Sequence, residues 1–335
     1  MLEGRNHRHA RVAVLTVIEE EFDAAQEVFG ADHEVPSTRG FTVFTTEPAT
    51  SSPERYPYVL MQCGNRSNVP SAGATRRLLE HFQPEVIILV GIAGGIQRLE
   101  APNNGTARWR GDALPGDVVV ADYVHYADFT KNEGGLEKLR YFALDHPSEN
   151  LLAEHFNSIR TSKRRGSPWY ADLPARPTAS VRTVKRGDPA EPHQADKPSL
   201  VRGEVIAVEG LAGDPNASHQ KKLIDRFDHA VAIDMESMGV ARALHEFRDD
   251  VHYNPMWMCV RGISDAARGF PVDHPDTLLK ETENNAERTL WKPYAAAAAT
   301  RVAAIITQRI LQEARPPSPA DPGAAAYVVT HRTKP

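Results

Sequence analysis

The 335-residue sequence has only two cysteines, no long apolar run and no excess of positive charge. Cys63 and Cys259 lie far apart beside apolar segments, which is typical of buried free thiols and argues against a disulfide framework. Because no stretch of about 18 apolar residues occurs, we expect neither a membrane span nor a signal peptide. The net charge of -5 argues against a general nucleic-acid binder, which would carry a basic face. The sequence therefore predicts a cytoplasmic protein.

Motifs for several kinds of chemistry are also missing. The 14 histidines form no H-E-x-x-H pattern, and no cysteine–histidine pair has the spacing of a zinc site. Neither a P-loop nor a G-x-S-x-G nucleophile motif is present. We therefore expect a function that needs no metal and no organic cofactor.

What the chain does contain is an alternation of apolar strands and amphipathic helices, the pattern of an α/β fold. The continuous apolar run 11–18 is typical of a strand buried on both faces, and a helix with acids in its first turn follows through Val28. Further strands are predicted at 41–46, 58–63, 85–90, 117–122, 205–208, 230–234 and 256–260, and helices at 71–82, 236–247 and 294–314.

Two polar segments interrupt this alternation, near residues 97–114 and 161–200, and both are predicted to be loops inserted into the core. Residues 1–10 and 315–335 are expected to be disordered tails, which leaves a domain at 11–314. The inserted loops are basic, so they either form a solvated surface or admit a phosphorylated substrate. The basic residues are Arg98, Arg108, Arg110, Lys163, Arg164, Arg165 and Arg182.

Two acids follow neighbouring apolar segments. Glu236 stands where a strand gives way to a helix, after Met235, and Asp265 follows the next strand, after Ser264. Neither has a salt-bridge partner beside it in the sequence. The pattern indicates a pocket that holds a sugar and protonates a second group.

Five segments in order resemble the superfamily of purine nucleoside phosphorylases and nucleosidases, most closely its methylthioadenosine/S-adenosylhomocysteine nucleosidase branch. They are the first strand with Glu19–Glu21, and 91–95, 115–122, 234–236 and 261–265. The resemblance implies a single α/β domain whose central mixed sheet closes into a distorted barrel flanked by helices. It also implies cleavage of a purine N-glycosidic bond by a dimer or larger homo-oligomer.

The chemistry of that reaction gives the acids separate roles. A purine leaves readily only when N7 is protonated, so an acid with a raised pKa is needed, and the resemblance assigns this to Asp265. Glu236 is expected to accept hydrogen bonds from the ribose hydroxyls, and the family match makes Glu21 the base that activates water. The alternatives are a helix N-cap for Asp265, a helix-terminal acid for Glu236, and a solvated helix start, which we retain for Glu19 and Glu20.

Other residues are expected to complete the pocket. The glycine run 91–95 is predicted to be a loop whose backbone N–H groups approach an anion or a water, so Ala93 and Gly94 are candidate pocket residues. Met235 offers an adaptable apolar surface for a sugar face, and Ser264 lies beside the proposed acid. Arg261 is either a pocket charge that orients one of the acids or a structural ion pair.

Three alternatives remain open at the level of the sequence. The segment 209–214 lacks the aromatic residue that stacks on the base in the methylthioadenosine enzymes, and 291–299 resembles phosphorylase-like immune effector domains that act on adenine nucleotides such as ATP or AMP. A phosphorylase would need an arginine cluster for phosphate, for which Arg39 and Arg66 are candidates. A non-catalytic nucleoside-binding module is the third alternative. The favoured prediction is a hydrolase acting on a purine nucleoside or nucleotide.

Overall fold

The computed structural model describes residues 8–35, 40–46, 55–100, 108–141, 143–161, 168–177, 197–210, 218–250, 254–268 and 281–313. The strands are β1 His9–Thr16, β2 His33–Glu34, β3 Val43–Thr45, β4 Arg55–Gln62, β5 Val86–Glu100, β6 Arg108–Arg110, β7 Val118–Tyr126, β8 Thr130–Glu133, β9 Leu136–Leu139, β10 Leu200–Ala207, β11 Ala230–Asp234 and β12 Met256–Arg268. The helices are α1 Glu19–Phe29, α2 Asn68–Phe82, α3 Glu149–Leu151, a π-helical turn at Leu152–Phe156, α4 Asn157–Thr161, α5 Ser218–Arg226, α6 Ser237–Asp250 and α7 Glu281–Gln312.

The described strands, apart from the β8–β9 hairpin, form one mixed sheet in the order β11-β10-β7-β12-β5-β1-β4-β3-β2. Strands β4, β1, β5 and β12 run parallel to one another, whereas β12 pairs antiparallel with β7. The far end of β5 also pairs with β11, with Ala232 opposite Gly95 and Ile233 opposite Gly94. This second pairing closes β11, β10, β7, β12 and β5 into a barrel-like ring, as predicted.

The core strands are apolar along their whole length because the sheet is covered by helices on both faces. Val12 to Leu15 of β1 and Val86 to Val90 of β5 are almost completely buried. Helix α7 packs directly on β12, where a side chain on Gly262 would overlap the carbonyl oxygen of Ala295. The alanine run of α7 therefore allows an unusually close contact between helix and sheet. No helix in the described ranges is both long enough and apolar enough to span a bilayer.

Several predicted elements are confirmed and three details are wrong. The helices after β1 and before β5 are present as α1 and α2. The glycine run 91–95, predicted as a loop, is instead the continuation of β5. Strand β12 extends to Arg268, so Asp265 lies within a strand and not after one. Helix α7 begins at Glu281 and continues through Pro293, where the sequence pattern predicted a start at residue 294.

The two polar segments contain more regular structure than their composition indicates. Residues 98–100 of β5 pair antiparallel with β6, so part of the segment 97–114 is a β-hairpin. Within 161–200 the structure describes Thr161, 168–177 and 197–200, and β10 begins at Leu200. The N-terminal tail up to residue 7, the tail 315–335 and the arginine-rich part of the second segment lie outside the described residues.

Candidate active site

One cavity lies at the ends of β1 and β11, against the middle of β5 and the bulged part of β12 and near the start of α2. The empty space between its lining atoms, together with its open mouth, measures about 560 Å³. Four of the side chains that line it end in carboxyl groups, and two end in guanidinium groups. The lining residues are Val17, Ile18, Glu21, Arg66, Ile92, Ala93, Gly94, Ile233, Asp234, Met235, Glu236, Ser264, Asp265 and Arg288.

Glu21 enters the cavity from the first turn of α1. The three consecutive glutamates differ in exposure because the helix turns Glu21 inward, to 3% exposure, while Glu19 faces solvent. Its Oε2 accepts hydrogen bonds from the backbone N–H groups of Val17 (2.8 Å) and Ile18 (3.0 Å). Its Oε1 accepts a bond of 2.8 Å from the N–H of Ile92. Burial raises the pKa of Glu21, against the lowering effects of Arg261 and of these N–H donors.

Glu236 is part of a buried charge network with Arg261 and Asp234. Arg261 is fully buried, and its Nη2 lies 2.7 Å from Asp234 Oδ2 and 3.3 Å from Glu236 Oε2. Burial raises the pKa of Glu236 to about 7, with Arg261 opposing and Asp234 and Glu21 reinforcing the shift. Arg261 Nη1 has no hydrogen-bond partner among the described groups. A buried donor of this kind is stabilised when a ligand or a water accepts from it.

Asp265 and Ser264 lie at a β-bulge of β12. The register against β5 shifts between Ile263 and Asp265, so two consecutive side chains face the same cavity, which a regular strand would not allow. Ser264 Oγ donates a hydrogen bond of 2.5 Å to Asp265 Oδ1. Burial raises the pKa of Asp265, although this hydrogen bond and the charge of Arg288 oppose the shift. The site thus favours a protonated carboxyl group here.

Strand β5 passes between the acids, and its glycines keep it close to them. A Cβ on Gly91 would lie 2.6 Å from Glu21 Oε1 and would overlap Arg261 Nη1. A Cβ on Gly94 would lie 3.7 Å from Asp265 Oδ2. The glycines predicted to form a loop therefore act within a strand, by allowing this close approach.

The loop before α2 forms a further wall and has an unusual backbone. Ser67 has φ 94° and ψ 162°, a conformation that non-glycine residues rarely adopt. Its hydroxyl donates to Glu209 Oε2 (2.6 Å), and its backbone N–H donates to Glu236 Oε1 (3.5 Å). Asn68 Nδ2 also donates to Glu209, at 3.2 Å. These bonds fix the loop relative to the carboxyl group of Glu236.

Seven of the eight residues predicted for the site line this cavity: Glu21, Ala93, Gly94, Met235, Glu236, Ser264 and Asp265. The eighth, Arg261, lies directly behind it and is ion-paired with Glu236. Sequence reasoning gave no position in the cavity to Asp234 or Arg288, and it named Arg66 only as a candidate phosphate ligand of the phosphorylase alternative. Asp234 stood within the recognised Asp-Met-Glu segment, but no local pattern distinguishes the two arginines from surface charges.

Similar proteins fall into one family. The profile described as the phosphorylase superfamily matches residues 11–310. The ATP nucleosidase Cap17 of Escherichia coli is 26% identical over 270 residues, which cover 76% of this chain and 45% of that protein. The chain thus spans less than half the length of this curated relative.

Solved structures share the fold. Futalosine hydrolase of Helicobacter pylori strain 26695 superposes with a TM-score of 0.58 at 16% identity, covering 90% of this chain and 98% of that one. The 5′-methylthioadenosine/S-adenosylhomocysteine nucleosidase of Neisseria meningitidis, in complex with methylthio-immucillin-A, gives 0.56 at 17% identity, covering 89% and 98%. Together with the profile match over most of its length, the barrel-like sheet and the ordered motifs assign this chain to the phosphorylase superfamily.

Proposed function

We propose that the protein hydrolyses the N-glycosidic bond of an adenine nucleoside or nucleotide and releases the free base. The observation that carries this proposal is the convergence of three carboxyl groups, those of Glu21, Glu236 and Asp265, on one cavity. The names of the similar proteins support it, since they include an ATP nucleosidase and a 5′-methylthioadenosine/S-adenosylhomocysteine nucleosidase.

Asp265 is proposed as the general acid. Burial raises its pKa above the ordinary value, which favours the protonated form that a general acid needs, and Ser264 fixes one of its oxygens. The proton passes to N7 of the purine while the bond between C1′ and N9 breaks, so the base leaves as a neutral molecule. A carboxyl group with an ordinary pKa would already be ionised and could not donate.

Glu236 is proposed to hold the ribose. Its Oε2 is paired with Arg261, and its other oxygen has only a long contact of 3.5 Å with Ser67 N–H. That second oxygen is free to accept a stronger hydrogen bond from a ribose hydroxyl. The adjacent Met235 lines the cavity as an apolar surface for the sugar.

Glu21 is proposed to take the proton from the attacking water. Its raised pKa makes it a stronger base once ionised, and three N–H donors fix its orientation. The vacant donor on Arg261 Nη1 is close to the same carboxylate, beside Gly91, and is suited to hold the water oxygen. Water attacks C1′, its proton goes to Glu21, and the products are free base and the ribose moiety.

A phosphorylase is the second candidate, because Arg66 and Arg288 line the cavity. Product analysis with and without inorganic phosphate separates the two reactions. We expect base release that does not depend on phosphate, with a sugar product hydroxylated at C1′. Formation of a sugar 1-phosphate only when phosphate is added would identify a phosphorylase instead. Ligand binding with no base release under either condition would identify a non-catalytic binding module.

We also propose that the protein works in the cytoplasm as a homo-oligomer. Two observations support this setting. Cys63 and Cys259 are both buried free thiols, as expected in a reducing compartment. Val69, in the first turn of α2 beside the cavity loop, has 76% of its side chain exposed, and a second subunit would cover such an apolar residue.

A further inference from the structure

We propose that Arg66 forms a subsite for the 5′-phosphate of a purine nucleotide, with the neighbouring Lys292–Glu20 ion pair at its edge. This inference rests on the proposed function and extends it, because it assigns a residue that selects nucleotides over nucleosides. It starts from the charges around the cavity.

Four carboxyl groups face the cavity, so a phosphorylated substrate would be repelled unless a cation compensates. Arg261 is not available for this, because it is buried and bound to Asp234 and Glu236. Arg288 is only partly exposed, and its charge lowers the pKa of Asp265. Neither lining arginine forms a salt bridge with a carboxylate among the described residues, but Arg66 is the more exposed of the two and is the better placed for an incoming anion.

The place of Arg66 is compatible with the proposed placement of the substrate. The base lies at Asp265, the ribose hydroxyls lie at Glu236 and C1′ lies near Glu21. The 5′ carbon is attached to C4′, across the ring oxygen from C1′. Arg66 lines the same cavity, and the next residue, Ser67, donates its N–H to Glu236 Oε1, so the arginine lies near the ribose site.

The backbone around Arg66 is fixed relative to Glu236, the proposed ribose-binding residue. The next residue, Ser67, is in a strained conformation that is maintained by its bonds to Glu209 and to Glu236 itself. Gly239 N–H donates to Asn68 Oδ1 (3.1 Å), which ties the same loop to helix α6. The loop and the ribose-binding carboxylate are therefore parts of one rigid unit.

The neighbouring charges favour an anion at this place. The positive charges of Arg66 and Lys292 both lower the pKa of Glu20, and Lys292 forms an ion pair with it. Two cations and one carboxylate leave a net charge of one positive unit beside the cavity. A guanidinium group is the side chain best suited to bind phosphate through two parallel hydrogen bonds.

The test compares kcat/KM for AMP with kcat/KM for adenosine in the wild-type protein and in Arg66→Ala. The ratio cancels any effect on the steps that both substrates share. We expect the ratio of AMP to adenosine to fall at least tenfold in Arg66→Ala and to be partly restored in Arg66→Lys. Arg76→Ala removes a matched charge from the exposed face of α2, where Arg76 pairs with Glu80, and should leave the ratio unchanged.

Measuring ATP beside AMP shows whether one phosphate or several contribute. An Arg66→Ala ratio within twofold of the wild-type ratio overturns the inference. Calorimetric dissociation constants for AMP and adenosine provide a second readout that needs no turnover. If no purine compound releases its base, the proposed function fails, while the ratio of dissociation constants in wild type and Arg66→Ala still decides whether Arg66 binds the phosphate.

Discussion

The guanidinium group of Arg261 is completely buried between two carboxylates, those of Asp234 and Glu236. Burying charges is costly, and the attraction within such a group offsets that cost only when every member is paired. Arg261 nevertheless retains one donor without a partner, next to Glu21. A substrate or a catalytic water would supply the hydrogen-bond acceptor that this donor lacks.

The raised pKa of Glu236 predicts a pH-dependent stability. The folded-state pKa of about 7 lies above the ordinary value of 4.5, so the folded protein binds this proton more tightly than the unfolded chain does. The resulting stabilisation is complete below pH 4.5 and is lost as the pH rises through 7. Glu236→Gln cannot ionise, so its stability relative to wild type should increase between pH 5 and pH 8 by roughly 2–3 kcal/mol.

Chemical denaturation at the two pH values measures this difference. Glu246→Gln on the exposed face of α6, where Glu246 pairs with Arg242, is the control and should show no such change with pH. An equal stability difference between Glu236→Gln and wild type at pH 5 and pH 8 would contradict the account of Glu236.

The acids of the site could be predicted from the sequence together with Arg261, whereas Arg66 was only a candidate phosphate ligand of the phosphorylase alternative and Arg288 was not predicted. Asp265 and Glu236 occur in short motifs with a chemical rationale, and Glu21 occupies a recognisable position after the first strand. Arg66 and Arg288 reach the cavity only through folding, from a loop and a long helix that have no local signature. A single exposed arginine in a sequence is indistinguishable from a surface charge.

Among the elements, β5 and β12 show why the pattern of glycines misled the prediction. Glycine usually interrupts a strand, so the strand was expected to end at residue 90. In the fold, β5 continues because Gly91 must leave room for Arg261 and Glu21, which approach from neighbouring elements. The bulge of β12 at Ser264 was equally hidden, because it depends on the register with β5 and not on the local sequence.

The close packing of α7 on β12 leads to a prediction about Gly262. A methyl group at this position would overlap the backbone of Ala295, which cannot move without displacing the helix. Gly262→Ala should therefore destabilise the protein by roughly 3 kcal/mol. Gly73→Ala, within α2 and facing open space, is the matched control and should stabilise by about 0.5–1 kcal/mol.

Urea denaturation of the two alanine variants measures both effects. The expected order of stability is Gly73→Ala, then wild type, then Gly262→Ala. If Gly262→Ala were as stable as the wild-type protein, the helix would not lie as close to the strand as described here.

For the whole molecule, the topology of the sheet explains how distant residues meet. Strands β1, β5 and β12 are parallel neighbours, so the end of β1 lies level with the middle of β5, whose residues 93–95 lie beside the bulge of β12. Closure by β11 against β5 brings Glu236 to the same place. The alternation of strands and helices predicted the α/β class, and the ordered motifs predicted the family. The β8–β9 hairpin was not predicted because its strands are short and polar, and helix α5 was not predicted because it is short and mostly polar although it is amphipathic.

The most direct test of the central claim compares the wild-type protein with Asp265→Asn. Chromatography measures how fast each of them releases free base from the best purine substrate. Asparagine keeps the size of the side chain and one oxygen that accepts from Ser264, but it cannot supply the proton. The account predicts that kcat/KM falls by about 10²-fold or more, as for other general acids. Asp122→Asn, which changes an acid that pairs with Arg202 away from the cavity, should retain wild-type activity. Undiminished base release by a folded Asp265→Asn protein would contradict the proposed mechanism.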